Sequence, residues 1–276
     1  MTITLRPDRA LFRFSGPDAQ KLFNDVVTAR IEAQAGPARW WALLSPQGKI
    51  QAEGLVGWTD GAFWLDTHAS VADSFFKRMR MYRLRADVAM DDLRQSHRVG
   101  WAATPVEGAV AHADGRGPTL GFRVAAPLDA AADWLPPGTA QSAARIALGV
   151  SELGPDFAAD AVFPHDVGMD LLAGVDFKKG CYVGQEVVSR MQHRGTARRR
   201  PVIVAGLPDT AVAGTPVLAG DREAGAIGTP IEGRAVATLR LDRLEPGTAL
   251  TVAGLPVTLE LPAWATYQLG EVAAEA

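Results

Sequence analysis

One cysteine stands among the 276 residues of this chain, within Lys178-Lys179-Gly180-Cys181-Tyr182-Val183-Gly184-Gln185-Glu186. The thiolate is the nucleophilic and metal-ligating form of cysteine, and neighbouring cations or a helix N-terminus favour it. Lys178 and Lys179 act in that direction, as does a helix starting near Gly184. Gly180 and Gly184 suit a tight backbone or the close approach of a bound molecule. Gln185 and Glu186 set an amide beside a carboxylate. A carboxylate accepts two parallel hydrogen bonds from the ring nitrogen and exocyclic amine of a pterin or purine. Plainer readings stand beside these: a free cysteine is often a buried small hydrophobe, and Glu186 can simply flank a helix. No histidine lies near Cys181 in sequence to serve as its base.

A second set of residues is cationic. Arg190, His193, Arg194, Arg198, Arg199 and Arg200 form a basic run suited to phosphates or a polyglutamate tail, or to plain solvation. Lys77, Arg78, Arg80 and Arg83 flank an expected helix. Overall, 28 basic residues against 31 acidic ones give a net charge of −3, which argues against a dedicated non-specific nucleic-acid binder, and no DNA partner is expected.

One cysteine excludes an intramolecular disulfide and a protein-only CxxC zinc or iron–sulfur site. The histidines at 68, 97, 112, 165 and 193 form no short-spaced cluster, so no metal site is expected. Asp91-Asp92 has no partner pair at metal spacing. The fragment GDREAGAIG lacks the strand, glycine and helix order of a dinucleotide loop, and no G-x-S-x-G elbow is present.

The elements that must position these groups follow from periodicity. ALFRFSG reads as a strand running into a helix, with Ser15 and Asp18 as a capping box and Ala19, Leu22, Phe23, Val26 and Val27 as an apolar stripe. ARWWALL and KIQAEGLVGW are strands joined by a type I turn at Ser45-Pro46-Gln47-Gly48, and Asp60-Gly61 turns into AFWLD. A helix over 71–81 carries Val71, Phe75 and Met79 on one face. ADVAMDDL, HRVGWAA and TLGFRVAA are further strands, and the polar segment 111–118 reads as an exposed loop. Short helices are expected over 140–148 and 186–191, with a long irregular stretch from 154 to 174. Beyond residue 196, short strands broken by Gly and Pro carry a small-barrel signature. Together this is an α+β chain. No window has the apolar length to cross a bilayer, no leader is visible in MTITLRPDRALFRF, and the expected location is a reducing cytoplasm.

At this point KGCYVGQE, continued by VVSR and HRG, resembles the signature of the YgfZ family, folate-binding relatives of the glycine-cleavage aminomethyltransferase. FSGPDAQKLFNDVVTARI, LLSPQGKI, ARIALGV and GAIGTPIEGRAVATLRLD resemble further family segments, so the likeness covers nearly the whole chain. The resemblance implies an aminomethyltransferase-like body, with residues 1–37 and 138–195 as a discontinuous folate-binding domain. It implies a ferredoxin-like α+β domain inserted over 38–137 and a C-terminal β-barrel over 196–276. It further implies tetrahydrofolate as cofactor, held between the two halves of the body. Lys179, Gly180, Tyr182, Gly184, Gln185, Glu186 and Arg145 are the implied cofactor-binding residues, and Cys181 is the functional thiol. The implied partners are iron–sulfur enzymes or their assembly factors, a tRNA-modifying enzyme among them.

Two departures point away from aminomethyl transfer. The aminomethyltransferases have an acidic pair after the hairpin glycine, whereas here Gly48 is followed by Lys49-Ile50-Gln51-Ala52-Glu53. Arg145-Ile146-Ala147 lacks the glutamate of their Arg-x-Glu. The resulting expectation is a folate-binding protein that supports iron–sulfur proteins. The alternatives are a folate-dependent aminomethyltransferase or demethylase, and a folate-independent protein docking on iron–sulfur scaffolds through its arginine face.

Overall fold

A computed structural model describes residues 2–195, 197–245 and 247–270. The chain runs through β1 (Thr4–Leu5), β2 (Arg9–Ser15), α1 (Ala19–Val26), β3 (Arg39–Leu44), β4 (Ile50–Thr59), β5 (Ala62–His68), α2 (Ala72–Arg83), β6 (Ala89–Asp92), β7 (His97–Ala102), β8 (Val110–Ala113) and β9 (Phe122–Pro127). α3 (Ala140–Ala147) and α4 (Gln185–Arg194) follow, separated by an irregular stretch that contains one 3₁₀ turn at Pro164–Val167. The last region is strand-rich: β10 (Arg199–Ala205), β11 (Pro216–Ala219), β12 (Arg222–Ile227), β13 (Arg234–Arg240), β14 (Leu250–Val252), β15 (Leu255–Pro256) and β16 (Thr258–Glu260).

Among the described residues the strands form three sheets, antiparallel throughout, ordered β3-β4-β5-β2-β6, β1-β7-β9-β8 and β15-β14-β11-β12-β13-β10-β16. β2 shows how sequence alternation builds two layers. Successive side chains of a strand point to opposite faces. Phe12 and Phe14 enter the main core with Phe23 of α1 and Phe75 of α2, while Leu11 meets Val99 and Ala125 of the four-stranded sheet. Burying rings of this size stabilises the fold by about 1.5–3 kcal/mol each. The five-stranded sheet thus carries helices on one face and the second sheet on the other.

The strand grouping corrects one expectation. β2, from before residue 38, lies between β5 and β6, and β1 pairs with β7. A boundary at 37/38 runs through a hydrogen-bonded sheet, because β2 supplies the ladder partner that β5 and β6 each lack. The segment 111–118 is also not the exposed loop its polar glycine-rich composition suggested. β8 pairs with β9, and Asp114 and Arg116 are buried against each other at 2.7 Å. At α1 the apolar stripe is as expected, but the capping box is not formed. Ser15 remains in β2, and Asp18 accepts from the Asp87 backbone N–H at 2.8 Å instead of capping its own helix.

Candidate functional site

The thiol loop is fastened before it reaches Cys181. Asp176 Oδ1 accepts from the backbone N–H groups of Lys178 (2.7 Å) and Lys179 (3.1 Å), while its Oδ2 accepts from Arg30 Nε at 2.7 Å. Burial works to raise the Asp176 pKa, but the hydrogen bonds from Arg30, Lys178 and Lys179 outweigh it and hold the carboxylate below its usual range. Thr28 ties the same loop to β3: its hydroxyl donates to the Gly174 carbonyl at 2.6 Å and accepts from the Ala42 N–H at 3.0 Å.

Lys179 is buried, and its ammonium donates to the carbonyls of Asn24 (2.9 Å), Val27 and Ala29 (3.0 Å), at the end of α1 and just beyond it. An ammonium has three donors and no acceptor, so these three carbonyls use all of them. Burial pushes its pKa down to about 8, against the pull of Asp176. The Nζ also lies 4.9 Å from the Tyr182 ring centroid. Tyr182 is itself buried, and desolvation drives its phenol pKa up.

Past this anchor the chain opens. Gly180 and Cys181 are exposed, Cys181 is a free thiol, and a side chain added at Gly180 would meet nothing within 4 Å. Gly184 is the reverse. It has φ +81°, and a Cβ there would lie 2.6 Å from the Ser45 carbonyl oxygen and 3.1 Å from the Gly48 Cα. The second signature glycine therefore allows close contact with the β3–β4 hairpin. α4 begins at Gln185, with Glu186 exposed in its first turn.

Arg145 belongs elsewhere. Its side chain bonds the Val150 carbonyl at 2.6 Å and is paired with Asp156. It forms one edge of a buried ion network centred on Glu152, which lies 2.8 Å from Arg6, 3.3 Å from Arg123, 3.6 Å from Arg116 and 3.9 Å from Arg9. Glu53 and Asp66 complete it: Glu53 accepts from Trp40 Nε1 at 2.6 Å, and Asp66 lies 2.9 Å from Arg123 and 3.1 Å from Arg9. Burial would raise the Glu152 pKa, but the surrounding arginines hold it well below the usual carboxylate range. Burial wins at Asp156, whose pKa is raised despite Arg145.

This network packs the space between the two sheets. Between the two sheets, beside Asp66 and Arg123, about 20 Å³ remains, against roughly 300 Å³ or more for ordinary small-molecule pockets. The neighbouring carboxylates are already paired with arginines. That slot is too small for a bicyclic ligand, whereas a separate cavity of about 320 Å³ is lined by Arg6, Asp8, His68, Gln141, Arg145 and Thr229 among others. Beside the thiol loop, by contrast, lies a cleft of about 330 Å³ lined by Arg30, Glu32, Arg39, Ala173, Phe177 and Lys178 among others. Cys181 is outside its lining.

The structure therefore brings Lys179, Gly180, Cys181, Tyr182, Gly184, Gln185 and Glu186 into one loop and helix start, and leaves Arg145 apart. The basic run also divides, because Arg200 is taken by Asp170 at 2.8 Å and the His165 carbonyl at 3.0 Å. Sequence reasoning passed over Asp176 and Glu152. Asp176 was findable, since an Asp two residues before a loop N–H is an Asx-turn signal. Glu152 carried no local signal, because its partners come from distant segments.

Comparison with known proteins defines the class. Residues 198–267 match the family model described as CAF17, C-terminal beta-barrel domain. The glycine cleavage system aminomethyltransferase T from Bartonella henselae superposes with a TM-score of 0.73 over 95% of this chain and 85% of its own, at 16% identity. The fold is thus aminomethyltransferase-like, mixed α+β, with a C-terminal β-barrel.

In sequence, the chain is similar to the mitochondrial iron–sulfur cluster assembly factor IBA57 homologue of Pyricularia oryzae. That match is 32% identical and covers 71% of this chain and 55% of the relative. The corresponding protein of Mycosarcoma maydis is 30% identical, with 74% and 58% covered. The chain spans little more than half the length of these relatives. Their names also overturn the expectation of a cytoplasmic location, since both are named as mitochondrial. A single cysteine excludes an intramolecular disulfide and does not identify a compartment.

Proposed function

We propose that this chain is an iron–sulfur cluster assembly factor of the YgfZ branch, and that its working group is the Cys181 thiol. The observation that supports the reading is an exposed thiol on an anchored loop in a chain similar to named assembly factors. A thiolate is a soft ligand suited to iron in clusters. One cysteine supplies one ligand of the four or so that a cluster needs, so the rest belong to a partner: an iron–sulfur enzyme, such as a tRNA-modifying one, or another assembly factor. The cluster is cargo here. Aminomethyl transfer has only the fold on its side.

The test is Cys181→Ser in the full chain, measured through the activity of an iron–sulfur client enzyme and through the melting temperature. Loss of client activity at unchanged melting temperature supports the reading; full client activity refutes it. Tetrahydrofolate is the proposed small-molecule ligand, and the cleft beside the thiol loop is its proposed seat. Arg39 and Lys178 suit its carboxylates there, and Phe177 suits its ring. Calorimetry should show saturable binding that Arg39→Glu weakens. Absence of binding removes folate and leaves the assembly role to the client assay.

A further inference from the structure

The C-terminal end of α2 departs from an ordinary solvated helix end. Lys77, Arg78, Arg80, Arg83 and Arg85 crowd into nine residues of a chain whose net charge is −3. Cations at a helix C-terminus stabilise the helix dipole, but that effect is confined to the last turn and does not call for five. Arg78 is engaged by Gln51, and Arg83 reaches the Val88 carbonyl at 3.4 Å. Among the described residues, the exposed Lys77, Arg80 and Arg85 have no hydrogen-bond or ion-pair partner. Set among these cations are two apolar side chains in water, Met81 at 65% exposure and Leu84 at 84%.

Leu84 is the residue that points to a use. It has φ +46° and ψ −106°, a backbone conformation open to glycine and costly for leucine. Its side chain gains nearly no burial in return. For stability alone, glycine would serve better at this turn. A strained backbone that holds an apolar side chain out in solvent, ringed by unpaired cations, has the composition of an interface core and rim, where Met and Arg are enriched.

We infer that the α2 end, formed by Lys77, Arg80, Met81, Leu84 and Arg85, is a docking surface for a protein partner that presents acidic side chains around an apolar spot. Charge complementarity selects the sign of the partner. The rim selects its kind: Asp18 and Asp87 border the patch, joined through the Asp18 carboxylate and the Asp87 N–H. A uniformly anionic bilayer or DNA duplex would meet those carboxylates as well as the cations. A folded partner can set its acids opposite the cations alone, and can cover Leu84. The surface is mechanically tied to the thiol loop. Arg78 holds Gln51 of β4, and at the other side of the same hairpin Gly48 abuts Gly184 and Val187.

The experiment places a benzophenone amino acid at position 84 of the full chain and identifies the protein cross-linked to it in cells. The purified partner is then titrated against the wild type, Arg80→Glu/Arg85→Glu and Leu84→Gly, with phosphatidylserine vesicles and a short DNA duplex as parallel probes. The expected result is an adduct on an acidic segment of one protein and at least about tenfold weaker binding by the charge-reversed variant. Binding should recover when the partner's acids become lysines. Leu84→Gly should melt higher than the wild type yet bind the partner more weakly. The inference is overturned by absence of an adduct, by partner affinity indifferent to either variant, or by wild-type binding to vesicles or duplex that the charge reversal abolishes. Client activity of Cys181→Ser bears on the thiol alone, so the two proposals stand or fall separately.

Discussion

Lys179 and Arg145 are both buried cations in segments that carry the family resemblance, and they are satisfied in opposite ways. Lys179 gives its three donors to neutral carbonyls at the end of α1, and burial lowers its pKa. Arg145 faces carboxylates in a network where several arginines converge on Glu152. The lysine cage is local and holds a loop whose next residues are open to solvent. The arginine network is long-range and fills the space between sheets. One buried cation holds a loop that opens to solvent, and the other belongs to an ion network between the sheets and lines a cavity of about 320 Å³.

The comparison breaks first at its most crowded point. Removing one partner of a buried ion pair leaves uncompensated charge and costs about 3–5 kcal/mol. Glu152→Ala removes the carboxylate that Arg6, Arg116 and Arg123 share and leaves them Asp8, Asp114 and Asp66, so the unfolding free energy should fall by up to about that amount in a denaturant titration. The acid limb should change too. The folded pKa of Glu152 is depressed, so its contribution is present above the unfolded value of about 4.3 and is lost as pH falls toward the folded one. The variant should lose less stability on acidification than the wild type. Equal stability of the two proteins at neutral pH would mean the network is not holding the sheets together.

Lys179→Met tests the other side. Hydrogen bonds to charged groups contribute about 1.5–3 kcal/mol each, and orphaned buried carbonyls add to the loss. Desolvation of the ammonium offsets part of it, so a net loss of about 2–3 kcal/mol is expected. Hydrogen exchange should rise over 176–184 and stay unchanged between the sheets. The folded pKa of about 8 lies below the ordinary 10.5. Between those values the unfolded chain binds more protons, so stability attributable to this group rises with pH across that window. The wild-type minus variant difference should show that rise; a flat difference removes the buried-ammonium account.

The same contrast explains what the sequence disclosed. α1, the helix ending near Met81 and the segment-by-segment strands were legible because their signals are local: Phe12 and Phe14 alternate, and Leu22, Phe23 and Val26 recur at helical spacing. The thiol signature was legible as a loop and helix start for the same reason. Placement of β2 between β5 and β6, and of Arg145 in a buried network, was not. β2 depends on partners far along the chain, such as Phe63 and Met90 opposite Phe14. Although Arg145 pairs with the nearby Asp156, the rest of its network comes from distant segments such as those of Arg6 and Arg123. For Gly184 the sequence left two readings open, a tight backbone or a bound molecule, because the two look identical until Gly48 is seen beside it.

The two signature glycines give the smaller and sharper tests. Gly184→Ala meets a positive φ and a carbonyl oxygen at 2.6 Å, so a loss of about 1–3 kcal/mol is expected, with weaker packing between α4 and the hairpin visible as faster exchange at both.

Gly180→Ala has the smallest expected effect. The added methyl meets nothing within 4 Å, Gly180 is not among the glycines with positive φ, and the site is exposed, so stability should stay within about ±0.5 kcal/mol. Any role of this glycine then lies in what approaches the thiol. If Gly180→Ala lowers client activity at unchanged melting temperature, a partner comes close enough to Cys181 to collide with one methyl group. If activity is also unchanged, the open half of the loop tolerates bulk, and the specificity of the contact resides in the anchored half, from Asp176 to Lys179.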